Sequence, residues 1–313
     1  MDRIVCVVGP TASGKTALSV ALAKALDGEV ISADSMQLYR GMDVGTAKVT
    51  QEEMDGVPHY MIDVAEPWEN FSAARYVEMA DPILQDILRR GKTAVIAGGT
   101  GLYVDALMAG RTFAPYPETG RRQALEREAA EHGMAHMLER LGRVDPDSAR
   151  RLHVSDGKRI IRALEVYQET GKTITQHNLE SRQIPDKYAP CWLGLTFEPR
   201  QLLYDRINLR VDRMLEQGLL DEIRGLLKQG IPETSTAMQA IGYKEFLPVL
   251  RGETALETAV EQVKQGSRRY AKRQLTWFRR NERIHWIVCG RDTGFQEIQR
   301  QALEEIPFFD GAI

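Results

Sequence analysis

The chain has 313 residues, 43% of them hydrophobic and 27% charged, with a formal net charge of −3. That length supports one large domain or two moderate ones with buried cores, and the near-neutral balance excludes a globally cationic nucleic-acid binder, so any RNA contact must come from local basic patches. Cys6, Cys191 and Cys289 stand far apart in apolar runs, which fits neither a disulfide framework nor a zinc site and reads as reduced core thiols of a cytoplasmic protein. No leader opens the chain and no apolar stretch approaches the ~20 residues that span a bilayer, so no membrane partner is expected.

The first element is Ile4 to Val8, a continuous apolar run of strand length. It leads into Gly9-Pro10-Thr11-Ala12-Ser13-Gly14-Lys15-Thr16, which satisfies G-x-x-x-x-G-K-[ST] at every fixed position, and then into Lys15 to Leu26, which has helical periodicity. Strand, glycine loop and helix make a phosphate cradle. Backbone N–H groups turn toward the anion, Lys15 adds a point charge, and the Thr16 hydroxyl can ligate Mg²⁺ at the helix N-terminus.

Glu29 to Ala33 reads as a second strand that delivers Asp34 at its carboxyl end, within Ser32-Ala33-Asp34-Ser35-Met36-Gln37. Thr93 to Ala97 reads as a third strand and ends in Gly98-Gly99-Thr100-Gly101, where a Walker B acid would ordinarily stand. Helices at Ala73 to Arg90 and Leu102 to Ala109 supply the crossovers. Strands alternating with helices predict a parallel sheet that gathers ligand groups at its carboxyl edge, so Asp34 and Thr100 belong near the glycine loop. Asp34 there is either a general base or a cap of its own turn. The glycines before Leu102 either admit a ligand or make a plain strand-to-helix turn.

After the Pro-containing stretch Arg111 to Pro117 the pattern becomes helical until about Asp186, with no convincing strand and with a basic cluster at Lys158-Arg159-Ile160-Ile161-Arg162. Cys191 to Phe197 restores a strand, followed by amphipathic segments at Gln201 to Gln217, Leu219 to Gln229 and Leu256 to Arg280 and a last strand at Ile284 to Val288. The fold predicted is an α/β P-loop core with a parallel sheet flanked by helices and an inserted all-helical domain. Residues 1–112 form the first part of the core, 113–190 the arm and 191–313 the second part.

Two arginines, Arg206 and Arg210, lie one helical turn apart, so one can reach a diphosphate across the cleft or pair with Asp205, Asp212 or Glu216. From Arg268 to Arg280 cations interleave with aromatics, which suits an RNA backbone and exposed bases, or equally a solvated helix with Tyr270, Leu275 and Phe278 in the core.

The glycine loop, Ser32 to Tyr39, Gly98 to Tyr103, Asp156 to Glu165, Gln239-Ala240-Ile241-Gly242-Tyr243 and Ala271-Lys272-Arg273-Gln274-Leu275-Thr276-Trp277 together resemble the tRNA dimethylallyltransferases, also called tRNA isopentenyltransferases, over nearly the whole chain. The resemblance implies transfer of a dimethylallyl group from dimethylallyl diphosphate to N6 of adenosine 37, flipped out of the anticodon stem-loop into a channel between core and arm, in tRNAs reading codons that begin with U. It implies Asp34 as the base, Thr16 and Arg210 as catalytic partners, and Mg²⁺ held on Thr16. It places Asp34, Ser35, Met36, Gln37, Thr100, Arg122, Lys158 to Arg162, Met238, Gln239 to Tyr243, Lys272 to Thr276, Trp277, Phe278 and Arg279 on the tRNA side. No zinc finger follows Trp286, so the chain looks like the short bacterial form and is expected to be a monomer. A small-molecule kinase and a nucleotide-switched RNA-binding module are the rival readings of the same glycine loop.

Overall fold

Residues Ile4–Val8 (β1) are all buried, as a central parallel strand requires. Ile4, Cys6 and Val8 pack on one face of the sheet with Leu84, Ile87 and Leu107, and Val5 and Val7 pack on the other with Leu18, Leu22 and Ile287. The computed structural model describes residues 2–111, 113, 119–309 and 311. It divides into two compact units, one made of the chain up to Met108 with the chain from Tyr188 onward, the other Ala109–Lys187.

In the first unit β1 is followed by α1 (Lys15–Ala25), β2 (Gly28–Ser32), α2 (Gln51–Met54), β3 (His59–Tyr60), α3 (Ala73–Arg89), β4 (Thr93–Gly98) and α4 (Gly101–Ala109). The second unit holds α5 (Arg121–Val144), α6 (Pro146–Arg151), α7 (Gly157–Thr170) and α8 (Ile174–Gln183). The chain then returns with β5 (Cys191–Phe197), α9 (Arg200–Glu216), α10 (Leu219–Lys228), α11 (Leu247–Leu250), α12 (Leu256–Phe278), β6 (Ile284–Cys289) and α13 (Phe295–Glu304).

The six strands form one parallel sheet in the order β3-β2-β4-β1-β5-β6. The P-loop NTPase-like core anticipated from the alternating pattern is present, and the three cysteines are free and buried. Strand β3 is new: two half-buried residues give no periodic signal. Its pairing of Val30 with His59 places it beside β2. The short helices α2 and α11 likewise fall below the length that periodicity can register.

The second unit has its own core of Leu125, Met137, Leu141, Ile160, Ile161 and Leu164, and no strand among its described residues. Gly133, at φ +83° and ψ 161°, breaks α5 into two helical pieces. Most of the Pro-containing stretch read between Arg111 and Pro117 lies outside the described residues. The first unit resumes at Tyr188 rather than at 191, because Tyr188 is buried and its N–H donates to the Met108 carbonyl at 3.0 Å.

Candidate functional site

The glycine loop joins β1 to α1 with a backbone that only particular residues permit. Gly9 has φ +144°, and a Cβ there would lie 2.8 Å from the Leu195 carbonyl oxygen. Gly14 has φ +91° and caps α1 without any side-chain hydrogen bond, so the first N–H groups of the helix are left for an anion. The buried Ser13 Oγ has no hydrogen-bond partner among the described residues. Lys15 Nζ donates to the Pro10 carbonyl at 2.6 Å. Burial, and next the neighbouring Arg210 guanidinium, push the Lys15 ammonium down to about 8 against an opposing pull from Asp34.

A cavity of about 340 Å³ opens beside the loop, within the size range of small-ligand sites. Lys15, Thr16, Asp34 and Arg210 all line it, as do the apolar side chains of Val30, Val49, Ile62, Val211, Met214 and Val263. The Asp34 Oδ1 accepts N–H bonds from Met36 at 2.9 Å and Gln37 at 3.4 Å, so this oxygen caps the turn. Its Oδ2 makes no hydrogen bond among the described residues. The Ser35 N–H donates to Thr100 Oγ1 at 3.0 Å, which ties the β4 turn to the Asp34 turn.

The two arginines of α9 part company. Arg210 Nη2 donates to the Thr46 carbonyl at 3.0 Å and its buried Nε has no hydrogen-bond partner among the described residues. Arg206 is exposed, donates from Nε to the Ala12 carbonyl at 2.9 Å, and lies over the Phe197 ring. Asp212, one of the anticipated ion-pair partners, pairs with Lys264 instead at 2.7 Å. The 42–48 loop that meets Arg210 carries no sequence signal, since its contribution there is a backbone carbonyl that any residue would supply.

The close approach that Gly99 and Gly101 allow is made by the protein itself, whereas Gly98 both meets the Ala33 backbone and lines the cavity. A Cβ at Gly98 would lie 2.2 Å from the Ala33 carbonyl oxygen, at Gly99 2.1 Å from Gln274 Nε2, and at Gly101 2.2 Å from Trp277 Cδ1. Gln274 and Trp277 share one face of α12. The buried Gln274 accepts the Thr11 N–H at 2.8 Å and donates to the Gly99 carbonyl at 3.0 Å, bridging the glycine loop to the β4 turn. Trp277 Nε1 donates to Asp105 at 2.8 Å.

Several residues placed on the tRNA side turn inward. Gln274, Leu275 and Phe278 on α12, Ile160 and Ile161 on α7, and Met238, Ala240 and Tyr243 are buried, so their side chains serve packing or the cavity wall. Gly242 is buried, Ile241 is half-buried and lines the cavity, and Gln239 is exposed. Lys272, Arg273, Thr276, Trp277 and Arg279 remain exposed, as do Lys158 and Arg159 in the second unit. There the buried Glu165 accepts from Arg162 at 2.8 Å and faces Arg122 at 3.5 Å, while Arg121 turns to Glu169 at 3.3 Å.

The IPP transferase family profile matches residues 37–281. A tRNA dimethylallyltransferase of Thermoanaerobacter sp. strain X514 is 46% identical over 304 residues, covering 96% of each chain. The crystal structure of a full-length tRNA isopentenylpyrophosphate transferase from Bacillus halodurans is 44% identical, covers 96% of this chain and 95% of its own, and superposes with a TM-score of 0.72. A eukaryotic dimethylallyltransferase solved acting on tRNA superposes with a TM-score of 0.82 at 30% identity, over 96% of this chain and 77% of the other.

Proposed function

The chain belongs to the IPP transferase family, and from that premise we propose that it transfers a dimethylallyl group from dimethylallyl diphosphate to N6 of adenosine 37 in tRNAs reading codons that begin with U, releasing diphosphate. The observation that carries this reading is the meeting of an anion cradle, an unengaged carboxylate oxygen and an apolar wall in one cavity that lacks the Walker B acid. The allylic C–O bond breaks as the new N–C bond forms, and the departing diphosphate gains charge. The loop amides of residues 9–16, Lys15 and Arg210 stabilise that charge. The proton leaving the exocyclic amine passes to Asp34 Oδ2, while Oδ1 keeps the turn fixed.

The donor set also suits a hard divalent cation: Thr16 and Asp34 both line the cavity beside the glycine loop, and their hydroxyl and carboxylate are the oxygen donors that would hold such an ion. Held by these residues, Mg²⁺ would supply further neutralisation of the leaving group. Val30, Val49, Ile62 and Met214 offer the five-carbon chain an apolar surface. The exposed Lys272, Arg273 and Arg279 of the first unit, and the exposed Lys158 and Arg159 with the half-buried Arg122 of the second, meet the RNA backbone. No helix among the described residues is long and apolar enough to cross a membrane, in keeping with work on tRNA in the cytoplasm.

The test is an incubation with undermodified tRNA, Mg²⁺ and either dimethylallyl diphosphate or ATP, followed by mass spectrometry of the digested nucleosides. Adenosine gaining one prenyl unit with the allylic diphosphate alone is the expected result. No mass shift, with ATP consumed once a small-molecule acceptor is added, would make the protein a kinase.

A further inference from the structure

Glu222, on the first turn of α10, belongs to none of the motifs above, yet it makes the densest set of hydrogen bonds of any carboxylate near the cavity. The N–H groups of Asp43 and Val44 both donate to its Oε2 at 2.7 Å, and the Gly45 N–H donates to Oε1 at 3.0 Å. The Tyr243 hydroxyl adds a bond to Oε1 at 2.6 Å. Three successive amides converging on one anion form a backbone nest, a geometry that binds carboxylates and phosphates. Here a carboxylate from a segment far along the chain fills it.

The far end of the same loop holds two of the cavity's polar side chains, Arg210 and Gln37. The Thr46 carbonyl accepts from Arg210 Nη2 at 3.0 Å, and the Ala47 carbonyl accepts from Gln37 Nε2 at 3.1 Å. Helices α9 and α10 therefore grip one loop from both sides, α10 through its N–H groups and α9 through a carbonyl. Gly45 is packed so closely under the Tyr243 ring that a Cβ would lie 2.5 Å from Cζ. Burial first, and then the Glu222 charge, raise the Tyr243 hydroxyl far above its ordinary range, so it stays a donor.

We propose that Glu222 is a positioning residue for the diphosphate: by filling the nest of Asp43, Val44 and Gly45 it fixes the Thr46 carbonyl, which in turn aims Arg210 into the cavity. The proposal rests on the reading of Arg210 as a diphosphate ligand. Both carboxylate oxygens are needed, because a Gln amide would turn its NH₂ toward at least one N–H donor. The loop does not detach when the nest empties, since Lys48 still holds it through the Tyr39 carbonyl at 2.8 Å and through Asp43 and Asp63 at 2.5 Å each. The fold should therefore survive the substitution while the aim of Arg210 does not.

The test is a double-mutant cycle read by calorimetric titration of inorganic diphosphate with Mg²⁺ into the intact protein, Glu222→Gln against Arg210→Ala. Glu222→Gln should weaken diphosphate about tenfold in the wild-type background and less than twofold in the Arg210→Ala background. Equal loss in both backgrounds, or no loss in either, would overturn the proposal. Should Glu222→Gln lack a cooperative melt, Tyr243→Phe removes one bond of the four and must show a smaller loss that also vanishes without Arg210. Because the readout needs no turnover, a wild-type protein that fails to prenylate tRNA would sink the functional reading alone, and an additive cycle would sink only this proposal.

Discussion

Asp34 accepts the Met36 and Gln37 amides on Oδ1, which leaves Oδ2 for the proton transfer we propose. Spacing cannot separate a cap from a base, because both require the same carboxylate at the end of the same strand. Asp34→Asn separates them in the laboratory, since the amide oxygen still caps the turn but takes no proton. Prenyl transfer should fall by ~10² or more with tRNA binding and thermal midpoint unchanged. Transfer near the wild-type rate would leave Asp34 only its capping role. Lys15 gives a second residue-scale prediction, with a sign that follows from its depression to about 8 by burial and then by Arg210. Below that value the ammonium is charged and attracts diphosphate, so affinity measured between pH 6.5 and 9.5, with the ligand's own ionisation titrated separately and subtracted, should be flat at first and weaken as pH rises past about 8. Arg210→Ala removes the repulsion and should move that midpoint upward. A midpoint that stays put would assign the depression to burial alone.

At the scale of elements, α12 presents two unlike faces. Ala271, Gln274, Leu275 and Phe278 are buried, while Lys272, Arg273, Thr276 and Arg279 are exposed. The core reading of this basic, aromatic helix holds for Leu275 and Phe278, whereas Tyr270 is half-buried and lines the cavity; the RNA contact we propose falls to the exposed cations, and helical periodicity alone could have sorted the two sets. The exposed cations predict a salt effect. Lys272→Ala with Arg279→Ala should reduce the slope of log affinity for tRNA against log salt by about 1.4 to 1.8, the release expected for two phosphate contacts. An unchanged slope would return this face to bulk solvent. The strands β1, β4 and β5 were legible because continuous apolar runs between turn residues mark buried parallel strands. What stayed hidden depends on tertiary contact: the two-residue β3, the partner of Gly99 in Gln274, and Glu222, which on sequence is an ordinary acid favouring a helix N-terminus.

At the scale of the whole molecule, the chain order and the division into units disagree, since the first unit is assembled from both ends of the sequence and the second from the middle. Each has a core of its own, Leu125, Met137, Leu141 and Leu164 in the second and the two faces of the sheet in the first. The insertion leaves and returns at neighbouring points, because the Tyr188 N–H reaches the Met108 carbonyl at 3.0 Å. A short glycine linker from Met108 to Tyr188 can therefore replace residues 109–187 without stretching the first unit. Every group proposed for the diphosphate lies outside the deleted segment, whereas Arg122, Lys158 and Arg159 lie within it. The shortened protein should melt cooperatively and bind diphosphate with Mg²⁺ within about twofold of the intact chain. Its affinity for tRNA should drop at least ~10-fold, and prenyl transfer with it, through loss of backbone contacts. Diphosphate binding lost together with the insertion would mean that the cradle depends on the second unit. Transfer retained without it would confine RNA recognition to α12 and the residues around the cavity.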